Sequence, residues 1–231
     1  MAVDPYETFK DYGDVYLAPD EHEPFPRYIQ ALFRRHVTGR YLDIGCADGC
    51  KLRHIVTRAV GVSDVLAIEP SGPLCTEARE RVKDLEHVRV EHATLEDLEK
   101  TGAETGSFDT VTLLEVLEHI EDQSAVLTKI FSYLRPGGVF ICSTPNRPVY
   151  ATHCRVTGER RDPTHVSELN WAEFKALMGR FSTNVSYTGF WPVMFLYRRW
   201  PGLDFLNSLP GARLCSRTMY AVARKDGSAA P

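Results

Sequence analysis

From about residue 40 to residue 143, short apolar runs alternate with stretches whose apolar positions recur every three or four residues. The runs at 40–44, 65–68, 88–90, 110–114 and 139–143 are rich in Val, Ile, Leu and Thr and read as strands. The stretches 49–59, 73–83 and 124–134 read as helices. In the last, Val126, Leu127, Ile130, Phe131 and Leu134 share one face. That helix is expected to stop at Arg135-Pro136-Gly137-Gly138, where proline and two glycines oppose its continuation. Such alternation predicts an α/β fold, a mostly parallel sheet with helices on both faces. Upstream, 26–37 has an amphipathic helical pattern and follows an arm rich in Pro, Asp and Glu. Downstream, 171–181 reads as a helix and 185–190 and 217–223 as strands. Two segments exceed this plan: a polar connection at 144–169 and a proline- and aromatic-rich insertion at 191–215. Connections longer than ~12–15 residues are uncommon in compact domains and often functional. The tail 227–231 is expected to be disordered.

The 231 residues suffice for one sizeable core, so 1–39 is expected to be an arm and helix and 40–226 one domain. A net charge of −4 turns expectation away from nucleic acid as partner, since phosphate binding calls for a basic excess or stripe. The six cysteines form no CxxC pair and no zinc-finger spacing, which points to a reducing compartment. The start, MAVDPYETFKDYGD, is acidic and carries no signal-peptide pattern, and no apolar run approaches the ~20 residues that span a bilayer. Cytoplasm is the expected location, and a monomer or homodimer the expected state.

The strongest chemical signal is Leu42-Asp43-Ile44-Gly45-Cys46-Ala47-Asp48-Gly49, a strand that ends in a turn of small residues ahead of a helix. Small side chains let the backbone approach a ligand, and the helix start offers unpaired N–H groups. Asp43 is the wrong charge for a pyrophosphate but suits an ammonium or a sulfonium. Glu69 ends the next strand, in Val65-Leu66-Ala67-Ile68-Glu69-Pro70, where a carboxylate can accept from both ribose hydroxyls. An acid about 20 residues after the glycines also occurs in dinucleotide folds. The nicotinamide-dependent oxidoreductase reading is disfavoured because this turn runs Gly45-x-Ala47-x-Gly49 and not G-x-G-x-x-G.

With these residues, the chain resembles the class I S-adenosylmethionine-dependent methyltransferases over roughly three-quarters of its length. Asp43 to Gly49 is similar to the family's nucleotide-binding turn and Glu69 to its ribose-binding acid. Phe108-Asp109-Thr110-Val111 with Glu115-Val116-Leu117-Glu118-His119-Ile120 resembles its fourth-strand segment, and Leu134-Arg135-Pro136-Gly137-Gly138-Val139 its turn into strand five. Thr144-Pro145-Asn146-Arg147 resembles the ubiquinone-biosynthesis and small-molecule branch. The resemblance implies a Rossmann-like seven-stranded sheet, mostly parallel, with an antiparallel last strand at 217–223. It implies S-adenosyl-L-methionine as cofactor, held by Asp43, Gly45, Cys46, Ala47, Gly49, Glu69, Pro70, Thr94, Leu95, Leu114 and Glu115. Ala47 stands where the family usually has a glycine, which a backbone outside the left-handed region would accommodate. Thr94 stands where many members have an aspartate for adenine, so backbone groups near Thr94 and Leu95 are expected to serve there.

Methyl transfer from a sulfonium is an in-line displacement in which positioning supplies much of the acceleration. The expected acceptor is a small molecule, anionic or apolar, with O-methylation ahead of N-methylation. His165 and His119 are the candidate catalytic bases, imidazole being suited to that by its ordinary pKa of ~6.5. A helical turn would put Glu115 and His119 on one side. Arg147, Arg155, Arg160 and Arg161 make 144–169 locally basic, which suits an anionic acceptor. The insertion 191–215, with Arg198-Arg199 among aromatic residues, would cover an acceptor pocket or touch a membrane surface. Glu115-x-x-Glu118-His119 with His165 also resembles the metal site of small-RNA 2′-O-methyltransferases. A further alternative is S-adenosylmethionine binding with non-methyl chemistry, such as decarboxylation or cyclisation.

Overall fold

The computed structural model describes residues 27–190 and 215–227. The first helix, α1 (Arg27–His36), buries Ile29 and Phe33 one turn apart, with Val37 just beyond. Arg34, Arg35 and His36 occupy its last turn, where cations complement the helix dipole. Then come β1 (Gly39–Ile44), α2 (Cys50–Val56), β2 (Val62–Glu69), α3 (Gly72–Val82), β3 (Val88–His92) and β4 (Phe108–Leu114). The second half contains α4 (Gln123–Tyr133), β5 (Leu134–Pro145), α5 (Arg147–Thr157), α6 (Trp171–Met178), β6 (Asn184–Phe190) and β7 (Thr218–Arg224).

The strands form one seven-stranded sheet in the order β3-β2-β1-β4-β5-β7-β6. β1 pairs parallel with β2 and β2 with β3, whereas β6 and β7 pair antiparallel. This is the mixed Rossmann-like sheet that the strand–helix alternation and the resemblance imply. Val65 to Ile68 are buried without a break, as are Phe140 to Thr144. Consecutive strand residues face opposite ways, so unbroken burial means that both faces of these strands are covered. β2 starts three residues before its apolar run because Ser63 and Asp64 are exposed and carry no hydropathy signal.

The chain divides into two compact units: residues up to Thr112 with Ser132–Val139, and Leu113–Phe131 with residues from Phe140 on. In the first, α2 meets α3 where Gly49 stands at φ 78°; a Cβ there would lie 2.9 Å from the Ala78 Cα. Only glycine combines that backbone angle with that approach. In the second, the segment 144–169, expected to be a connection, contains α5. Asn146 precedes the helix, Pro148 lies in its first turn, and left-handed Gly158 closes it by donating to the Cys154 carbonyl. Those start and stop signals are present in the sequence. Only Tyr150 and Cys154 of the helix are buried, too few for an apolar period to stand out. α6 ends at Met178, three residues before the apolar pattern does, and a capping box between Asn170 and Glu173 starts it. The arm before residue 27, the insertion 191–215 up to residue 214 and the tail from residue 228 lie outside the described residues.

Candidate functional site

Asp43 is the penultimate residue of β1 and is 3% exposed. Its Oδ1 accepts a hydrogen bond from the Thr112 hydroxyl of β4. The Thr112 hydroxyl in turn lies 2.7 Å from the Tyr41 hydroxyl, and both side chains are fully buried. Burial pushes the Asp43 carboxyl up to about 6, against the hydrogen bonds of Thr112 and Tyr41 and the attraction of Lys51. Neither Tyr41 nor Thr112 belongs to a turn motif; their shared β1–β4 contact is the signal that a sequence does not display.

The turn after β1 is fixed to β2. Gly45 and Cys46 donate N–H bonds to the Ile68 carbonyl at 2.9 and 3.2 Å, and Gly49 closes on the Cys46 carbonyl at 3.0 Å. Ala47 adopts φ 49°, in the left-handed region. The expectation that alanine is accommodated by an ordinary backbone angle is therefore corrected: the residue keeps the glycine conformation without being glycine, at a cost of roughly 1–2 kcal/mol. Its N–H donates to Glu69 Oε2 at 2.9 Å, while Glu69 Oε1 accepts from the Ser71 N–H at 2.9 Å. Glu69 thus joins the end of β2 to the turn. Burial raises its carboxyl pKa, opposed by those two N–H groups. The Cys46 thiol is buried and pushed well up by desolvation and the neighbouring Asp43 charge, which makes it an unreactive packing group.

The surroundings of Pro70 and Thr94 are polar. The Pro70 carbonyl lies 2.9 Å from His92 Nε2, and the Thr94 hydroxyl donates to Asp97 Oδ2 at 3.2 Å, with Leu95 buried beside it. Asp97 also pairs with Lys100, three residues further along the chain. The chemistry of these groups fits an adenosyl sulfonium: one buried carboxylate is penultimate in β1 and another ends the adjacent β2, and the small-residue turn lies between them in the chain.

In the second unit, Leu114 ends β4 buried, and Glu115 follows at φ 59°. Glu115 receives the Ser143 hydroxyl at 2.7 Å on Oε1, and its N–H donates to the Ser143 carbonyl at 3.1 Å. The helical relation expected between Glu115 and His119 is not formed. Glu115 is left-handed, and only the 3-10 turn Leu117–His119 follows. Glu118 is 1% exposed and accepts the Thr144 hydroxyl at 3.0 Å.

His119 Nδ1 lies 3.2 Å from the Thr164 carbonyl and 2.9 Å from its hydroxyl, and Nε2 is 4.0 Å from Glu118 Oε1. Burial, and then the neighbouring His165, lower the His119 pKa. The two imidazoles meet edge to face with centroids 4.9 Å apart. His165 has Nδ1 2.9 Å from Glu168 Oε1 and Nε2 3.7 Å from Asp162 Oδ2, and its ring lies against Tyr150. Glu168 also receives Arg161. The structure therefore brings together the two candidate histidines, and it gives them acidic and hydroxyl partners in Asp162, Thr164 and Glu168, which the sequence analysis did not single out. Ligand atoms of Glu118, His119 and His165 lie within 4.8 Å of one another; Glu115 is not in that group.

A family profile described as a methyltransferase domain matches residues 17–185. A ubiquinone biosynthesis O-methyltransferase of Xanthomonas euvesicatoria is 36% identical over 122 residues, 52% of this chain and 48% of that protein. A probable S-adenosylmethionine-dependent methyltransferase of Mycolicibacterium smegmatis is 31% identical over 149 residues, 64% of this chain and 53% of the relative. The chain thus spans about half the length of these relatives. Among solved structures, phosphoethanolamine N-methyltransferase 2 of Haemonchus contortus, in complex with S-adenosyl-L-methionine, superposes with a TM-score of 0.69 at 18% identity. The match covers 97% of this chain and 61% of that one. Fold, turn and family profile agree, and the chain belongs to the class I S-adenosylmethionine-dependent methyltransferases.

Proposed function

We propose that the protein methylates an oxygen of a small-molecule acceptor and holds its cofactor through Asp43, the turn 45–49 and Glu69. The cofactor supplies an activated sulfonium methyl. The observation that carries the reading is the double hold on Glu69, whose two oxygens accept the Ala47 and Ser71 N–H groups. Each carboxylate oxygen retains acceptor capacity, so Glu69 can keep the turn in shape and still receive ribose hydroxyls. Asp43 supplies negative charge against the cationic end of the cofactor. Relatives named for O-methylation in ubiquinone biosynthesis support an oxygen nucleophile.

His119 is assigned as the base for an acceptor hydroxyl. The Thr164 carbonyl can only accept, so Nδ1 carries the proton and Nε2 is the basic nitrogen. Its lowered pKa keeps the ring neutral near pH 7. His165, set between Glu168 and Asp162, is better suited to orienting the 162–168 segment against His119 than to accepting a substrate proton. Calorimetry tests the cofactor half: Glu69→Ala should weaken S-adenosylhomocysteine binding by more than tenfold, and unchanged affinity would refute the ribose contact. A screen of hydroxylated and amine acceptors with methyl-labelled cofactor tests the other half.

One observation favours a second reading. The convergence of Glu118, His119 and His165 is suited to a divalent ion, which would make the reaction metal-assisted and admit the 2′-hydroxyl of an RNA end as nucleophile. Under the first reading a chelator leaves turnover unchanged; under the second it abolishes turnover, and manganese restores it.

A further inference from the structure

Asp43 is a buried carboxylate held by a chain of two hydroxyls rather than by a cation. Its proton inventory fixes the direction of that chain. An ionised Asp43 can only accept, so the single Thr112 proton points to Oδ1, and the Tyr41 proton goes either to Thr112, 2.7 Å away, or to Asp43 itself; both routes place it on the carboxylate side of the pair. Aligned donors of this kind reinforce one another and stabilise the charged form of the acid at their end. The Tyr41 and Thr112 side chains are wholly buried, so water cannot substitute for either donor.

We propose that Tyr41 and Thr112 are positioning residues for cofactor binding: their hydroxyl relay keeps Asp43 ionised in a dry strand interior, and protonation of Asp43 releases the cofactor. The inference rests on the reading of Asp43 as a cofactor-binding residue. The other groups facing Asp43 are few. Lys51 of α2 favours its charge. Glu69 of β2 and the Cys46 thiol of the turn interact with it as like or latent negative charges. From β4 the contact is the neutral Thr112. With Asp43 ionising at about 6, affinity for a ligand that presents an ammonium, as S-adenosylhomocysteine does, should fall across the weakly acidic range, where the ligand's own ammonium and carboxylate do not titrate.

The test is S-adenosylhomocysteine affinity by calorimetry between pH 5 and pH 8 on the full chain. The wild type should bind about tenfold more weakly at pH 5 than at pH 7. Thr112→Val keeps the shape and removes the donor. Its affinity should match the wild type at pH 8 and be lost at a midpoint about one pH unit higher. Tyr41→Phe should shift in the same direction by less, and Thr112→Ser should restore the wild-type profile. Asp43→Asn should bind weakly at every pH without the step. If Thr112→Val and Tyr41→Phe weaken binding equally at all pH values, or not at all, while Asp43→Asn removes the step, the relay is refuted and the cofactor reading stands. If Asp43→Asn binds as the wild type does, the cofactor reading itself falls. Tyr41→Phe is the independent arm should Thr112→Val not fold, since it removes one exchangeable oxygen without changing ring packing.

Discussion

At the scale of single residues, two positions proposed to hold the cofactor, Asp43 and Ala47, work against the stability of the ligand-free fold. Asp43 has its pKa raised from an ordinary value near 3.8 to about 6. Between those values the folded chain binds more protons than the unfolded chain, so stability falls as pH rises through that window and is level above it. The charge costs about 3 kcal/mol at neutral pH by that linkage. Asp43→Asn should therefore make the ligand-free protein more stable at pH 7, by up to about 3 kcal/mol in urea unfolding, with the difference vanishing near pH 4. Ala47 carries a second local cost through its left-handed backbone. Ala47→Gly relieves that strain but adds freedom to the unfolded chain, so a net gain of up to about 1 kcal/mol is expected from the same measurement. Both are costs tolerated where a ligand is to be held.

Individual elements show how the site is kept in place. The start of α2 can lie close to α3 only because residue 49 lacks a side chain. Gly49→Ala would set a Cβ 2.9 Å from backbone that cannot move cheaply, and at a φ of 78°. A loss of about 2–3 kcal/mol in chemical denaturation is expected. α6 depends on the Asn170 cap, which accepts the Ala172 and Glu173 N–H groups while Glu173 returns a bond to the Asn170 N–H. Asn170→Ala should cost about 1 kcal/mol. The 162–168 segment is held to His119 through Thr164 and braced internally by His165, which Asp162 and Glu168 flank.

For the whole molecule, cofactor binding is a folding term as well as a catalytic one. A ligand that binds only the native state at a hundred times its dissociation constant adds about 2.7 kcal/mol. In a chain of this size that corresponds to a rise in melting temperature of roughly 5–10 °C. Differential scanning fluorimetry should show this shift with S-adenosylhomocysteine and none with NADH, because the turn lacks the glycine spacing that receives a pyrophosphate. Among the described residues no helix is long and apolar enough to cross a membrane.

What the sequence determined by itself is whatever depends on local order along the chain. The strand–helix alternation, the turn from Gly45 to Gly49 and the acid closing β2 are written in residue spacing, and they suffice for the fold class and the cofactor. Helix α5 was hidden because it buries only two residues, so its proline and glycine boundaries had no apolar period between them. The tertiary structure alone decided which distant side chains meet. Thr112 reaches Asp43, and meets Tyr41 two residues before it, only because β4 lies beside β1 in the sheet order, about seventy residues away in sequence. Likewise Thr164 meets His119, 45 residues before it, through a fold-back that no spacing rule encodes. Local propensity sets elements and turns, whereas protonation and side-chain partnership follow from desolvation and contact, which exist only once the strands are side by side.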